Sequence, residues 1–236
     1  MFSQVSALTR FFLADYRFSI LIFWGIFTFT LIPLTVLSTS TSSNVIVSAA
    51  MAVFIYSGIS GFVLVKETFS YGVRMGTSRQ AFILSAFTFS ALLALIMAAI
   101  SIAVTFTYTQ LAAATWNNIQ FFHLAESVAG EFSWLTEFGL LSLFCFMFFN
   151  AGFFLATAFH RFGLIGGFGL LSVGVIVILI EPLRTPVIDF FINDIQIGAP
   201  VMFDLNYWAF PVTVVILAAL IYIIFKNASI HPGAVR

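Results

Sequence analysis

Charged side chains are scarce in this chain: 8% of its 236 residues, against 61% hydrophobic. An ordinary soluble domain carries about 25% charged and 45–50% apolar residues. A single water-facing core cannot hide so much apolar surface, so the solvent of this chain must be lipid. Formal net charge is zero, which leaves no global field to draw in nucleic acid. Only two lysines occur, Lys66 and Lys226, and neither completes a glycine-rich nucleotide loop. His123, His160 and His231 are far apart and Cys145 stands alone, so metal-ligand spacing is missing. Cys145 has no disulfide partner and lies in an apolar run, where a thiol is inert. No apolar run contains a histidine, which denies an intramembrane serine its base. None contains an acidic or basic residue, which argues against ion-coupled transport. These absences predict no catalytic, cofactor-binding or metal-binding residue in the chain.

What is present is six charge-free runs: Phe18–Leu37, Ile46–Val65, Ile83–Tyr108, Phe138–Phe159, Gly163–Ile180 and Tyr207–Phe225. Each is near the roughly 20 residues that cross about 30 Å of hydrocarbon as a helix. The runs are continuous rather than alternating, which excludes barrel strands. The fold expected is an all-α integral membrane protein, one six-span transmembrane domain over residues 1–236. Before the first run, Phe2, Val5, Leu8 and Phe12 recur at helical spacing among polar residues. That pattern predicts an amphipathic helix in the membrane interface, with a frayed tail as the alternative. A signal peptide cut near Ser38 is a further alternative, disfavoured by the length of the run and the lack of a small-residue cleavage site.

Basic residues set the orientation. With the N-terminus inside, the inner segments hold Arg10, Arg17, Lys66, Arg74, Arg79, Arg161, Lys226 and Arg236, and the outer ones only Arg184. The acids agree: Glu126, Glu131, Glu137, Glu181, Asp189, Asp194 and Asp204 all fall outside. The expected location is the plasma membrane, multi-pass, with both termini cytoplasmic. The glycosylation-like tripeptide Asn227-Ala228-Ser229 then lies on the wrong side to be used.

The outer connection Glu181–Asn206 contains Thr185 as a helix cap with Pro186 at the first helical position. Pro186, Ile188, Phe191 and Ile195 mark a short outer gate helix, its apolar stripe completed by Val187 and its end set by Gly198 and Pro200. Re-entrant and surface-lying placements both fit that pattern. Trp116 and Trp134 in the preceding outer loop suit interface anchors. On the inner side, His160 reads as a snorkelling interfacial side chain. Gly163 and Gly167, like Ser57 and Gly61, have the small-residue spacing that lets helix backbones approach. Asn150, Ser142, Ser90, Thr28 and Thr30 are the polar members of the runs, with interhelical hydrogen bonding as the expected use.

The inner connection Lys66–Gln80, KETFSYGVRMGTSRQ, holds three of the nine Lys and Arg residues. Lys66, Phe69 and Val73 have the spacing of one helix face, flanked by Glu67, Tyr71, Arg74 and Met75, and Gly76 is a natural stop. Thr77 and Gln80 have the spacing of a capping box that launches the third run. A solvated turn without a partner is the bland alternative.

With these features the chain resembles the membrane-spanning permease subunits of type-two ABC exporters. The likeness rests on the amphipathic N-terminal segment, the six runs with both ends inside, the Tyr71–Phe82 phrase and the helical outer segment before the last run. The resemblance implies that Lys66–Met75 is a coupling helix seated on a cytosolic ATP-binding subunit, with Lys66, Glu67, Phe69, Tyr71, Val73, Arg74 and Met75 at the contact. It also implies a second permease copy or a related permease as partner. ATP and magnesium would bind on the ATP-binding subunit, none directly on this chain, and the outer helix would help close the exit.

Overall fold

The computed structural model describes residues 2–41, 45–115, 119–129, 132–196 and 202–226. Trp116, Glu131, Gly198, Pro200, the Asn227–Ser229 tripeptide, His231 and Arg236 lie outside them. The first element, α1, is one continuous helix from Phe2 to Thr41. At about 1.5 Å per residue its 40 residues reach about 60 Å, twice the hydrocarbon thickness. The expected separate interfacial helix is therefore the first half of α1. No glycine or proline separates it from the first apolar run. Its stripe is used differently as well: Val5 and Phe12 are buried inside the protein. Phe12 meets the rings of Phe82 and Phe89 edge-on at 5.8 and 5.7 Å, so this face covers protein rather than the membrane surface.

A three-residue strand, β1 (Val45–Val47), leads into α2 (Ala49–Val63). Helical structure continues through Leu64–Phe69 and α3 (Ser70–Arg74), then restarts as α4 (Arg79–Thr115). β2 (Ile119–Phe121) pairs in parallel with β1, followed by α5 (Leu124–Ala129). The buried Glu137 carboxylate accepts the backbone N–H of Ala125 at 2.6 Å, satisfying a first-turn donor of α5. α6 spans Trp134–Leu179 and holds the fourth and fifth apolar runs, interrupted only at Gly163, where φ is 68° and ψ −167°. Around that break the Phe159 and Phe168 rings stand 5.5 Å apart. A Cβ on Gly167 would lie 2.2 Å from the Phe159 ring. Gly163 thus makes the break between two helical halves of α6, and Gly167 lets the second half approach Phe159 of the first. α7 (Glu181–Phe191), the hairpin β3 (Ile192–Gln196) with β4 (Met202–Leu205), and α8 (Ala209–Lys226) complete the chain. Among the described residues, five helices are long and apolar enough to cross a membrane: those covering Ser3–Leu37, Ala49–Arg74, Arg79–Leu111, Trp134–Leu179 and Ala209–Lys226.

The tightest packing in the bundle is between α2 and α6. A Cβ on Gly61 would sit 2.0 Å from the Phe149 carbonyl oxygen, and one on Gly152 1.9 Å from that of Gly58. Backbone therefore lies on backbone, the contact that small residues permit between membrane helices. The five polar span residues expected to bond between helices do not, although the Ser85 hydroxyl of α4 reaches the Val5 carbonyl of α1 at 3.4 Å. Thr28, Ser142 and Thr157 donate to carbonyls four residues back, as does Asn150 to Phe146 at 2.7 Å. Thr30 and Ser90 donate three residues back. In lipid such a bond is always within reach and satisfies the group at once. Tyrosines cross as well: Tyr16 Oη donates to the Ser60 carbonyl at 2.8 Å and Tyr108 to that of Thr28 at 3.2 Å. Tyr56 Oη reaches Ser19 Oγ at 3.0 Å.

This seam makes a direct prediction. Gly152→Ala is expected to destabilise the purified protein by at least the ~1–3 kcal/mol of ordinary overpacking, because backbone must yield. Gly139→Ala meets nothing within 4 Å and is expected to leave the melting temperature in detergent unchanged or slightly higher. Equal melting temperatures for the two variants would contradict the seam.

Candidate functional site

The Lys66–Gln80 segment does not begin as a separate helix. α2 runs into a π-helical turn over Leu64–Phe69 and on into α3 without a break. Thr68 Oγ1 donates to the Leu64 carbonyl within this turn. A π turn inserts an extra residue per turn and shifts the phase of the side chains that follow. That shift separates Lys66, Phe69 and Val73, which do not share one outward face: Lys66 is exposed, Phe69 buried and Val73 half-buried. The stop lies where expected in space. Gly76 has φ 85°, its N–H donates to Val73 O, and the N–H of Thr77 donates to Gly72 O, both at 3.1 Å. These two bonds form a Schellman cap that only a residue at ease in the left-handed region closes cheaply. The next helix is capped by Ser78, whose Oγ accepts the Ala81 N–H at 3.2 Å. Thr77 and Gln80 do not form the expected capping box. Thr77 is engaged by the Schellman turn, and Gln80 Nε2 reaches Tyr222 Oη at 3.4 Å instead.

Phe69 has no accessible surface. Its ring lies 5.3 Å from that of Phe82 on α4, 4.9 Å from that of His160 on α6 and 4.4 Å from that of Phe225 on α8. It was expected at a partner contact and is instead the point where the segment is locked into the bundle. His160 lies in the connection between the fourth and fifth apolar runs and does not snorkel. Both ring nitrogens are buried without a hydrogen-bond partner among the described residues. Two arginines close the same end. Arg161 Nη1 donates to Ile223 O and Ile224 O, both at 3.2 Å, and Arg79 Nη1 to Phe225 O at 3.2 Å and Lys226 O at 2.8 Å. Together they cover four successive carbonyls in the last turn of α8, with the charge sign that a helix C-terminus favours. Sequence reasoning counted both arginines for orientation and missed this role. Each stands within a few residues of an apolar run, but nothing in the sequence pairs it with α8.

What the segment leaves outside is a ridge of Lys66, Glu67, Tyr71, Arg74 and Met75, with Met75 71% exposed. Tyr71 stacks on Phe11 of α1 with ring centres 6.3 Å apart. Between α1 and α3 lies a mainly apolar groove of about 310 Å³, bordered by Leu8, Phe11, Tyr71, Met75 and Gly76. Beside it, a polar pocket of about 250 Å³ is lined by Asp15, Tyr16, Ser19, Glu67 and Thr68. A mixed-charge ridge next to an apolar groove can hold a folded partner.

At the other end, α7 starts at Glu181 rather than at a Thr185 cap, with Pro182 in its first turn. Thr185 lies inside α7 and donates to the Glu181 carbonyl at 2.9 Å. Pro186 is exposed within the helix, Ile188 is half-buried, and Phe191 meets Phe210 at 5.6 Å. Ile195 is not on this helix. It lies on β3 opposite Phe203, because the chain becomes extended at Ile192. The four expected gate residues thus divide between a helix and a hairpin.

Comparison with protein-family models, curated proteins and solved structures found no match.

The two classes of residue in the segment should separate under mutation. Phe69→Ala is expected to cost about 3–5 kcal/mol, as for other fully buried rings. Met75→Ala, on the ridge, is expected to stay within about 0.5 kcal/mol of the parent. Thermal unfolding in detergent measures both, and a Phe69→Ala protein as stable as the parent would contradict the locking role.

Proposed function

We propose that this chain is the membrane-spanning permease subunit of an ABC transporter, exporting an amphiphilic substrate such as a peptide, lipid or drug. It works as a dimer with a second copy or a related permease in the plasma membrane, both termini cytoplasmic. α6 supplies two of the six crossings, one on each side of Gly163. A cytosolic ATP-binding subunit holds ATP and magnesium and seats itself on the 66–76 ridge. One observation carries this reading: an exposed ridge stands on a segment continuous with α2 and bolted through Phe69 to α4, α6 and α8. A load applied to such a ridge reaches four helices at once. An ordinary connecting turn has no need of that linkage. The body is rich in phenylalanine, used 32 times, which favours a substrate with apolar parts.

The docking surface is narrower than the sequence suggested. It comprises Lys66, Glu67, Tyr71, Arg74 and Met75, with Phe69 and Val73 behind it. Substrate-stimulated ATP hydrolysis is expected only when the chain is co-expressed with its partner ATPase. The double variant Tyr71→Asp/Met75→Asp is expected to abolish both co-purification and stimulation while keeping the parent's melting temperature. Transport into vesicles driven by an ion gradient, with no ATPase present, would contradict this function. Folded, membrane-inserted protein that binds no ATPase under any co-expression would favour a scaffold or sensor role.

A further inference from the structure

A different pocket opens between the start of α4 and the end of α8. It holds about 200 Å³ and is lined by Arg79, Gln80, Ile83, Tyr222 and Lys226. Two cations, an amide and a phenol converge there, and among the described residues no carboxylate lines the pocket. The last described carbonyls of α8 lie here, and carbonyl oxygens would ordinarily repel an anion. Arg79 covers two of them, so the pocket presents donors instead. Among the described residues its hydrogen bonds run from Nη1, and a guanidinium has five N–H donors.

The surroundings define the ligand further. Arg79 and Lys226 flank the apolar runs 83–108 and 207–225, which sets the pocket at headgroup depth. One turn deeper on the same helix faces come Phe87 of α4 and Ala218 and Ala219 of α8, all apolar. Leu84 and Tyr222 are exposed beside the opening. A cationic mouth above an apolar trough fits a molecule with a negative head and hydrocarbon tails. A phosphate group is the anion that pairs with an Arg and a Lys together. We infer that this pocket binds the phosphate group of an anionic phospholipid, with an acyl chain along the α4–α8 trough. A zwitterionic lipid would bring its own ammonium against Arg79 and Lys226. A free phosphate would leave the trough empty. The inference needs only that the bundle sits in a bilayer and is independent of any ATPase.

The test uses the full chain in a neutral detergent, titrated separately with dioleoyl phosphatidylglycerol, dioleoyl phosphatidylcholine and inorganic phosphate. Bound adducts are read by native mass spectrometry and the melting temperature in parallel. Phosphatidylglycerol is expected to bind several-fold more tightly than phosphatidylcholine and to raise the melting temperature. Lys226→Gln is expected to weaken phosphatidylglycerol binding about fivefold, the effect of removing one basic side chain near a membrane surface. Its lipid-free melting temperature should match the parent's, since the Lys226 side chain is exposed. Tyr222→Phe supplies a second variant that keeps the ring, with a smaller loss expected. Equal binding of the two lipids, or phosphatidylglycerol binding unaffected by either substitution, would overturn the proposal. Uptake of inorganic phosphate as tight as that of the lipid would overturn the lipid assignment.

Discussion

The end of the bundle that carries the 66–76 segment depends on one side chain, the ring of Phe69. It arrives from a connecting segment between two apolar runs, yet it ends up with no accessible surface among rings from three other parts of the chain. Edge-to-face ring pairs add roughly 0.5–1.5 kcal/mol each beyond the area they bury. The ring's orientation depends on the π turn before it, which points Phe69 inward and leaves Lys66 and Glu67 outside. Without that turn the same residues would place an aromatic and a cation on one face, and neither core nor ridge would be complete. Inside and outside of the segment are therefore set by a single backbone irregularity.

Around that lock, the molecule handles polarity as lipid requires. Thr28, Thr30, Ser90, Ser142 and Thr157 return their hydrogens to their own helices, so these groups cost little, and Ser85 is the exception that also reaches α1. Cohesion falls to shape: the glycine seam of α2 and α6, the phenylalanine pairs and a few long tyrosine bonds. Shape-based contacts can slide, while the arginine clamp on the last turn of α8 cannot without baring four carbonyls. The rigid contacts therefore gather at one end of the bundle, next to the ridge.

Much of this fold was legible in the sequence, because hydropathy is a strong signal and charge exclusion is a sharper one. The apolar runs, the stop at Gly76 and the small-residue spacing at Ser57 and Gly61 all follow from local chemistry. What could not be read was anything set by long-range partners. Phe69 and Val73 look alike in a helical wheel, and only Phe82, His160 and Phe225 decide that the first is core. The Thr77–Gln80 spacing satisfied a capping rule, but Ser78 competes for the same N–H groups and is one residue closer to the helix start. Ile195 continued the stripe of α7 in sequence until pairing with β4 made that stretch extended. At the N-terminus, periodicity identified the right face of α1 and assigned it to the wrong neighbour.

The central claim is that the ridge on residues 66–76 is a cytoplasmic handle on the bundle. Its most direct test is the side of the membrane from which Met75 is reached. A Met75→Cys substitution in a Cys145→Ala background leaves one thiol, at a position 71% exposed. A membrane-impermeant maleimide is predicted to label it in inverted vesicles and to leave it unlabelled in intact cells. Labelling from the outside of intact cells would contradict the orientation, and with it the handle.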